Sequence, residues 1–336
     1  MAGAIEVERE VTRAKGEDAL IAARRGEFAG KLNAQPFVVK HSLVDHPLFT
    51  LERLAQLADL VRRERGEGKV HYRKALTVPH TDAAWNGLTH VSDVARMIRT
   101  SEESGAWVMI EDSETDPEYK ALLRKVVGDL STAVGRDMLK EAVHITGYIF
   151  IGSPNSVTNF HIDSETNFLC IVRGTKNFHM FDGSDRSLLS EQEIEQFYWG
   201  DLHACRRDTT KDKQEHLFHL SPGECLHVPV NFPHWVHNGP ASCVALSVLV
   251  YLPENVERAH AYQMNHFLRM LGVRPRPLGH DLPSDRRRGW LFRTLSKKNP
   301  DEKRDIVNSG LQRFKASINA PTTLVKRAVQ GVRRHA

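Results

Sequence analysis

His161 and Asp163, two positions apart, carry the groups in this sequence best suited to binding a metal ion. Successive side chains on a β-strand point to opposite faces. A continuous strand over residues 158–167 would therefore place His161, Asp163, Glu165 and Asn167 on one face. If both faces of that strand are buried, the polar face needs a compensating partner. The pattern therefore favours a metal ion held inside a β-structure.

A third ligand must come from a distant strand. Two histidines, His234 and His237, follow the turn at 222–224 in the segment VPVNFPHWVHN. Two histidines and one carboxylate on one side of an ion form the facial triad of non-haem Fe(II) oxygenases, with positions left open for cosubstrate and O2. The residues alone leave either histidine open as the third ligand, or as an ordinary core histidine.

The elements that must position these residues change in kind along the chain. Helix-prone segments precede residue 142, including one that begins after Thr50 as N-cap. Short strands at 36–40 and 106–110 are also expected. From about 142 to 252, short apolar segments alternate with turn signals, which predicts an antiparallel sandwich or barrel. A helical pattern returns at 256–271 and is followed by a Pro-rich linker.

These segments resemble the cupin-like, Jumonji-type (JmjC) 2-oxoglutarate-dependent Fe(II) oxygenases. The resemblance implies an α+β protein with a mainly β core, a double-stranded β-helix (cupin-like jelly roll) with flanking N-terminal and C-terminal helices. It divides the chain into a helical extension at 1–35, an oxygenase domain at 36–272 with its barrel core at about 142–252, and a basic helical tail at 273–336.

The resemblance assigns the metal ligands. The family's HxD motif falls on His161 and Asp163. Its second histidine follows a G-[DE]-x-x-x-x-P turn, which selects His234 over His237. These three residues are the implied catalytic and metal-binding set, with Fe(II) as the metal and O2 as the oxidant.

The resemblance also implies a site for 2-oxoglutarate. The family's cosubstrate-binding lysine stands on the next strand after a G-x-K turn, and Lys176 occupies that place. A threonine three residues before the first ligand and an asparagine six after it also touch the cosubstrate in relatives, which points to Thr158 and Asn167. Tyr148 would add a hydroxyl. The family often has a polar residue supporting the iron near the last strand, where this chain has Ser247 and its neighbours.

The implied activity is a dioxygenase that hydroxylates a C–H bond of an amino-acid side chain, a peptide or a small metabolite and releases succinate and CO2. A second hypothesis is a non-catalytic cupin-like binding or regulatory protein. A third is a cupin-type sugar-phosphate isomerase or thiol dioxygenase, which use mainly three or four histidine ligands. The HxD motif disfavours the third.

Charge is distributed unevenly along the 336 residues. The net charge is +4, but residues 273–336 hold 16 Lys or Arg against 5 Asp or Glu, a balance of 16 − 5 = +11, which leaves 4 − 11 = −7 for the remainder. The basic tail either contacts an anionic partner such as nucleic acid or a membrane surface, or forms a solvated helical face. The apolar face at 256–271 predicts either a homodimer seam or core.

Localisation is expected to be cytoplasmic. The first 20 residues carry charge where a signal peptide needs an apolar run, and no segment has the length of a transmembrane helix. The four cysteines are dispersed without a CxxC pair, so free thiols are expected rather than a disulfide framework. The charged insertion at 201–215 is either a lid over the substrate or a solvated loop.

Overall fold

Two antiparallel β-sheets form the centre of the computed structural model, which describes residues 19–76 and 93–295. The strands of this part are β1 (Ile21–Ala22), β2 (Phe37–His41), β3 (Val70–Lys74), β4 (Ala106–Ile110), β5 (His144–Gly152), β6 (Val157–His161), β7 (Thr166–Arg173), β8 (Lys176–Met180), β9 (His216–Leu220), β10 (Glu224–Val228), β11 (His234–Asn238) and β12 (Cys243–Tyr251). The larger sheet has the order β1-β2-β10-β7-β12-β5-β4-β3, and the smaller sheet has the order β6-β11-β8-β9.

The helices of the described residues fall mainly before β5 and after β12, with one between β8 and β9. They are α1 (Leu51–Arg65), α2 (Val94–Arg99), α3 (Pro117–Val134), α4 (Met138–Glu141), α5 (Glu191–Tyr198), α6 (Pro253–Met270) and α7 (Leu282–Leu295). Helix α1 begins as the sequence predicts, because the Thr50 side chain accepts a hydrogen bond from the backbone N–H of Arg53. No helix in the described ranges is long and apolar enough to cross a membrane.

The alternation of side chains along β7 shows how the layers are arranged. Phe168, Cys170 and Val172 point to one face and share a core cluster with apolar residues of α1 and α3. Leu169 and Ile171 point to the other face and pack with residues of the smaller sheet. The larger sheet is therefore covered by helices on one side and by the smaller sheet on the other, which buries both of its faces.

This architecture confirms the predicted fold class, an antiparallel β core with flanking helices. It also corrects one detail, because the strands of the described residues form two separate sheets and not a closed barrel. The cysteines also agree with expectation, since all four are buried and none of them forms a disulfide bond.

The continuous strand expected over 158–167 is absent. Strand β6 ends at His161 in the smaller sheet, and β7 begins at Thr166 in the larger sheet. Residues 162–165 cross between the sheets without strand hydrogen bonding. A shared strand face therefore does not explain how His161 and Asp163 come together; the turn between the two sheets does.

The chain divides into two compact units, and their boundary differs from the predicted one. The first unit comprises Met1–Leu189 and Cys205–Leu252, and the second comprises Ser190–Ala204 and Pro253–Ala336. Every strand of the described residues belongs to the first unit. Helix α6, which the sequence placed in the oxygenase domain ending at 272, thus belongs to the second unit. There it packs against α5 and α7, an arrangement in which Met264 and Phe292 are buried.

The two termini test the predicted extensions only in part. Within 19–35 the chain forms β1 and a series of turns, so the helical extension expected there is wrong for those residues. The reason is that Ile21 and Ala22 pair with β2 and so extend the larger sheet. The predicted helices at 301–317 and 322–334 lie outside the described residues, and α7 was not expected from the sequence.

A buried histidine in the larger sheet should make the fold sensitive to acid. His227 of β10 is fully buried; its Nε2 accepts the backbone N–H of Asn33, and its Nδ1–H donates to the backbone carbonyl of Asn167. Burial lowers the pKa of His227 to about 4. Protonation would charge the ring and remove its acceptor, so the folded state resists it.

We expect the free energy of unfolding to fall as pH drops from about 6.5 to about 4. In that window the unfolded chain binds a proton at His227 and the folded chain does not. Between pH 6.5 and 5 this group should account for about 2 kcal/mol. Urea unfolding at both pH values measures the change, and His227→Gln should reduce it while the exposed-site control His216→Gln does not. Equal pH dependence in His227→Gln and the parent would contradict the assignment.

Candidate metal and cosubstrate site

Three side chains from separate segments of the first unit converge between the two sheets. One donor atom each from His161, Asp163 and His234 lie within 4.8 Å of one another, the only such group of three in the part of the chain described. Nε2 of His161 is 3.8 Å from Oδ1 of Asp163, and Nε2 of His234 is 3.9 Å from its Oδ2. The Asp163 side chain retains 17% exposure, so the group can be reached from solvent.

Both imidazoles are oriented for metal binding. Nδ1 of His161 lies 2.7 Å from the backbone oxygen of Asn159, and Nδ1 of His234 lies 2.9 Å from that of Phe232. Each Nδ1–H can therefore donate to a carbonyl, which leaves the Nε2 lone pair directed at the shared point. Metal-ligating histidines use their second nitrogen in this way. The donor set thus fits a facial-triad ion with open coordination positions.

The environment of His234 keeps its ring neutral. The side chain is 3% exposed, and the Phe178 ring stacks on it with a centroid separation of 4.7 Å. Burial, reinforced by the neighbouring His161, lowers the pKa of His234 to about 4. A neutral imidazole is the form that binds a metal, so no proton has to be removed near neutral pH.

A β-bulge in β6 lets both Thr158 and His161 face the interior between the sheets. His234 pairs with His161 and Val236 pairs with Thr158, so two steps on β11 oppose three steps on β6. Strict alternation would put Thr158 and His161 on opposite faces, because they are three residues apart. Since Val236 belongs to the core between the sheets, its partner Thr158 also faces that interior.

A chain of hydrogen bonds supports the carboxylate. The side-chain amide of Asn167 donates to Oδ2 of Asp163 at 2.7 Å, and the Ser247 hydroxyl donates to Oδ1 of Asn167 at 2.6 Å. Ser247, on the last strand, thus supplies the polar support whose place the sequence left open. Asn167 was predicted to contact the cosubstrate; the structure places its amide on the Asp163 carboxylate.

Lys176 lies on the same inner face as the triad, at the other end of the strand pair. It is 5% exposed, and it pairs with Asn238, whereas Met180, four residues further along β8, pairs with His234. Its Nζ donates to Oδ1 of Asn238 at 2.7 Å. Among the described residues its hydrogen-bond partner is this neutral amide oxygen, and a buried ammonium held in this way can still attract an anion.

Asn238 is a site residue that sequence reasoning missed. Besides accepting from Lys176, its amide donates to the Ser156 hydroxyl at 2.8 Å and the Ser153 carbonyl at 3.3 Å. Gly152 makes room for this arrangement, since a Cβ there would lie 2.5 Å from Nδ2 of Asn238. Its position four residues after His234, on the same strand parity, was the available signal.

We expect substitutions of Asn238 to show separately how it positions Lys176 and how the charge of Lys176 depends on it. Asn238→Ala leaves the Lys176 ammonium without a partner, which should lower the unfolding free energy by about 1–3 kcal/mol and weaken 2-oxoglutarate binding severalfold. Asn238→Asp should keep the stability through an ion pair but weaken binding more, because the new carboxylate neutralises Lys176. Thermal unfolding and calorimetric titration measure both effects. Stronger binding in Asn238→Asp than in Asn238→Ala would contradict this role.

The remaining cosubstrate candidates also face the interior. Oγ1 of Thr158 accepts a hydrogen bond from Nε1 of Trp107 at 3.2 Å. Tyr148 on β5 pairs with Ser247 on β12 and therefore shares its face of the larger sheet. Glu165, expected on a strand face shared with His161 and Asp163, lies in the segment between β6 and β7 and accepts the Tyr251 hydroxyl at 2.6 Å. Burial, followed by the nearby Asp163 charge, raises the pKa of Glu165 to about 7.

His237 does not belong to the cluster. It follows His234 by three residues on β11, where Val236 faces the core between the sheets, so alternation turns His237 to the outer face. Part of the insertion at 201–215 lies on that outer face as well. The Arg207 guanidinium stacks on Trp235 at 4.6 Å, and Glu215 contacts His179 at 3.0 Å. These contacts place 207–215 away from the triad, unlike a lid over it.

The fold and the inward-facing triad define a protein of the cupin-like class. The family model described as "Cupin-like domain" matches residues 30–251, about two thirds of the chain. The chain belongs to this family.

Comparison with individual proteins gives more distant similarities. JmjC domain-containing protein A of Dictyostelium discoideum is 33% identical over 99 residues, which cover 26% of this chain and 38% of that protein. The chain thus matches well under half the length of this relative. Two structures of the Escherichia coli protein YcfD, one described as a ribosomal oxygenase, align with TM-scores of 0.42 and 0.43 at 17% and 16% identity, covering 82% of this chain and 66% and 68% of theirs.

Proposed function

We propose that the protein is an Fe(II)- and 2-oxoglutarate-dependent dioxygenase that hydroxylates a C–H bond of an amino-acid side chain, a peptide or a small metabolite. The observation that carries the proposal is the combination of a facial set of two histidines and one carboxylate with a buried lysine on the same inner face. Family membership supports it. The non-catalytic binding protein remains the alternative.

The donor set explains why iron suits this site. His161, Asp163 and His234 would hold the ion from one side, and their opposite side is left for other ligands. Bound Fe(II) would supply the oxidative chemistry in which 2-oxoglutarate and O2 yield succinate, CO2 and one oxygen atom in the product. A site of three or four histidines, as in other cupin enzymes, is not what these residues provide.

The chain itself would bind, orient and shield the reactants. Lys176 offers the ammonium that a far carboxylate of the cosubstrate requires, and Asn238 fixes its position. Asn167 and Ser247 hold Asp163 in one orientation. The apolar core between the sheets, with Phe178 against His234, excludes water from the inner side of the site.

The decisive experiment is an anaerobic titration of the full chain with Fe(II) and 2-oxoglutarate. An absorption band from metal-to-ligand charge transfer is expected only when both are present. Admission of O2 should then give succinate, slowly without substrate and faster when a substrate is added. A protein that binds iron but shows neither the band nor succinate would instead be a non-catalytic member of the family.

A further inference from the structure

Arg73 of β3 is a buried cation whose charge has no counter-ion among the described residues. It is 3% exposed. One nitrogen, Nη2, donates to the backbone oxygen of Val157 at 2.8 Å, while Nε and Nη1 are buried without a hydrogen-bond partner. Burial lowers the pKa of Arg73 to about 10, which still leaves it charged near neutral pH.

The side chain faces the interior that contains the candidate site. Arg73 pairs with Trp107 on β4, and its guanidinium lies over the Trp107 ring at 4.4 Å. Val70 and Val108 point to the opposite face of these two strands and pack in the helix-covered core instead. Trp107 in turn donates its indole N–H to Thr158, three residues before the first triad histidine. Arg73 therefore borders the Thr158 end of the site.

The stacking and the single backbone hydrogen bond compensate this charge incompletely. A buried charge is costly unless it is paired and fully hydrogen-bonded. A guanidinium offers a carboxylate two planar forks, Nε with Nη2 and Nη1 with Nη2, so each unpartnered nitrogen of Arg73 belongs to one fork. Nη2 can complete either fork, because it carries a second N–H besides the one that donates to Val157. Within the described ranges no anion completes this arrangement, and a planar anion would suit it best.

From this geometry we infer that Arg73 binds a carboxylate group of a small molecule in the site. This rests on the proposed function only for the identity of that molecule. The carboxylate comes either from 2-oxoglutarate, where Arg73 would act beside Lys176, or from the substrate, which would then be an acid. Arg73 is in either case a recognition residue that the sequence motifs do not include.

The test compares carboxylate binding by the full chain and its variants without any turnover. The protein is loaded with Zn(II), which accepts the same nitrogen and oxygen donors without redox chemistry. Calorimetry then measures 2-oxoglutarate, 2-oxopentanoate, which lacks the far carboxylate, and N-acetylglycine added to protein saturated with 2-oxoglutarate. The variants are Arg73→Met and Arg73→Gln. Arg207→Met is the matched control, because Arg207 also stacks on a tryptophan but pairs with Asp212 on the outer face.

Two results would support the inference and tell the sources apart. If 2-oxoglutarate binds about 10- to 100-fold more weakly to the Arg73 variants while 2-oxopentanoate is unaffected, the cosubstrate carboxylate is the ligand. If 2-oxoglutarate is unaffected but N-acetylglycine binding is lost, the ligand is a substrate carboxylate. In both cases Arg73→Met should match or exceed the parent in ligand-free melting temperature, since it removes an uncompensated buried charge.

Other results would overturn the inference. These are carboxylate binding unchanged in both Arg73 variants, equal losses in Arg207→Met, no carboxylate binding by the parent protein, or variants that unfold without ligand while Arg73→Lys restores folding. Failure of the proposed function is distinguishable, because it would appear as absent succinate and an absent charge-transfer band, whereas the Arg73 titrations with N-acetylglycine can also be run on metal-free protein.

Discussion

Replacing Asp163 or His161 with alanine is expected to abolish 2-oxoglutarate-dependent succinate formation. Each change removes one of three donors that lie within 4.8 Å of one another. Loss even of a residue that only orients a metal ligand costs about 10–100-fold in affinity or activity, so loss of a ligand should cost more than about 100-fold. The charge-transfer band should disappear with the activity. Succinate quantification after anaerobic loading with Fe(II) measures the effect.

The fold should survive these changes, which distinguishes a metal site from a structural one. The matched control is His237→Ala, a histidine on the outer face of the same strand as His234. It should retain full succinate formation. Normal turnover in Asp163→Ala or His161→Ala would remove the proposed triad, and unfolding of these variants at room temperature would indicate a structural role for the cluster.

Replacing Lys176 with methionine should raise the 2-oxoglutarate concentration needed for half-saturation by roughly 30- to 150-fold. This corresponds to about 2–3 kcal/mol for a charge-assisted hydrogen bond lost in a buried setting. The Fe(II) requirement should remain nearly constant, since Lys176 pairs with Asn238 and not with the triad. Titrations of succinate formation against each component separate the two constants.

A chemical control sharpens this expectation. The cosubstrate analogue 2-oxopentanoate lacks the far carboxylate, so its binding to the Zn(II)-loaded protein should be the same in Lys176→Met and in the parent. If iron affinity falls while the 2-oxoglutarate constant does not move, Lys176 has another role. An equal loss for both 2-oxo acids would indicate disruption of the pocket by the unpartnered Asn238 instead of loss of a carboxylate contact.

Local spacing in the sequence was enough to assign the metal-ligand candidates and the candidate cosubstrate lysine. The HxD pair and the lysine after a tight turn stand at short, fixed distances in the chain, and similarity to a family assigned them on that basis. The structure brings His161, Asp163 and His234 together and buries Lys176 on the same face. The reasoning from strand parity was nonetheless wrong, because the chain leaves one sheet and enters the other between His161 and Thr166.

The amino-acid sequence by itself determined the kinds of donor, the strand segments and the antiparallel β core, because apolar alternation and turn residues act over a few positions. The tertiary structure alone decided which polar groups contact the side chains of the site. The Lys176–Asn238, Asn167–Ser247 and Arg73–Val157 contacts join residues 62, 80 and 84 positions apart. Such contacts depend on strand order, on register and on one bulge in β6, and a one-residue change of register would turn each of these side chains to the opposite face.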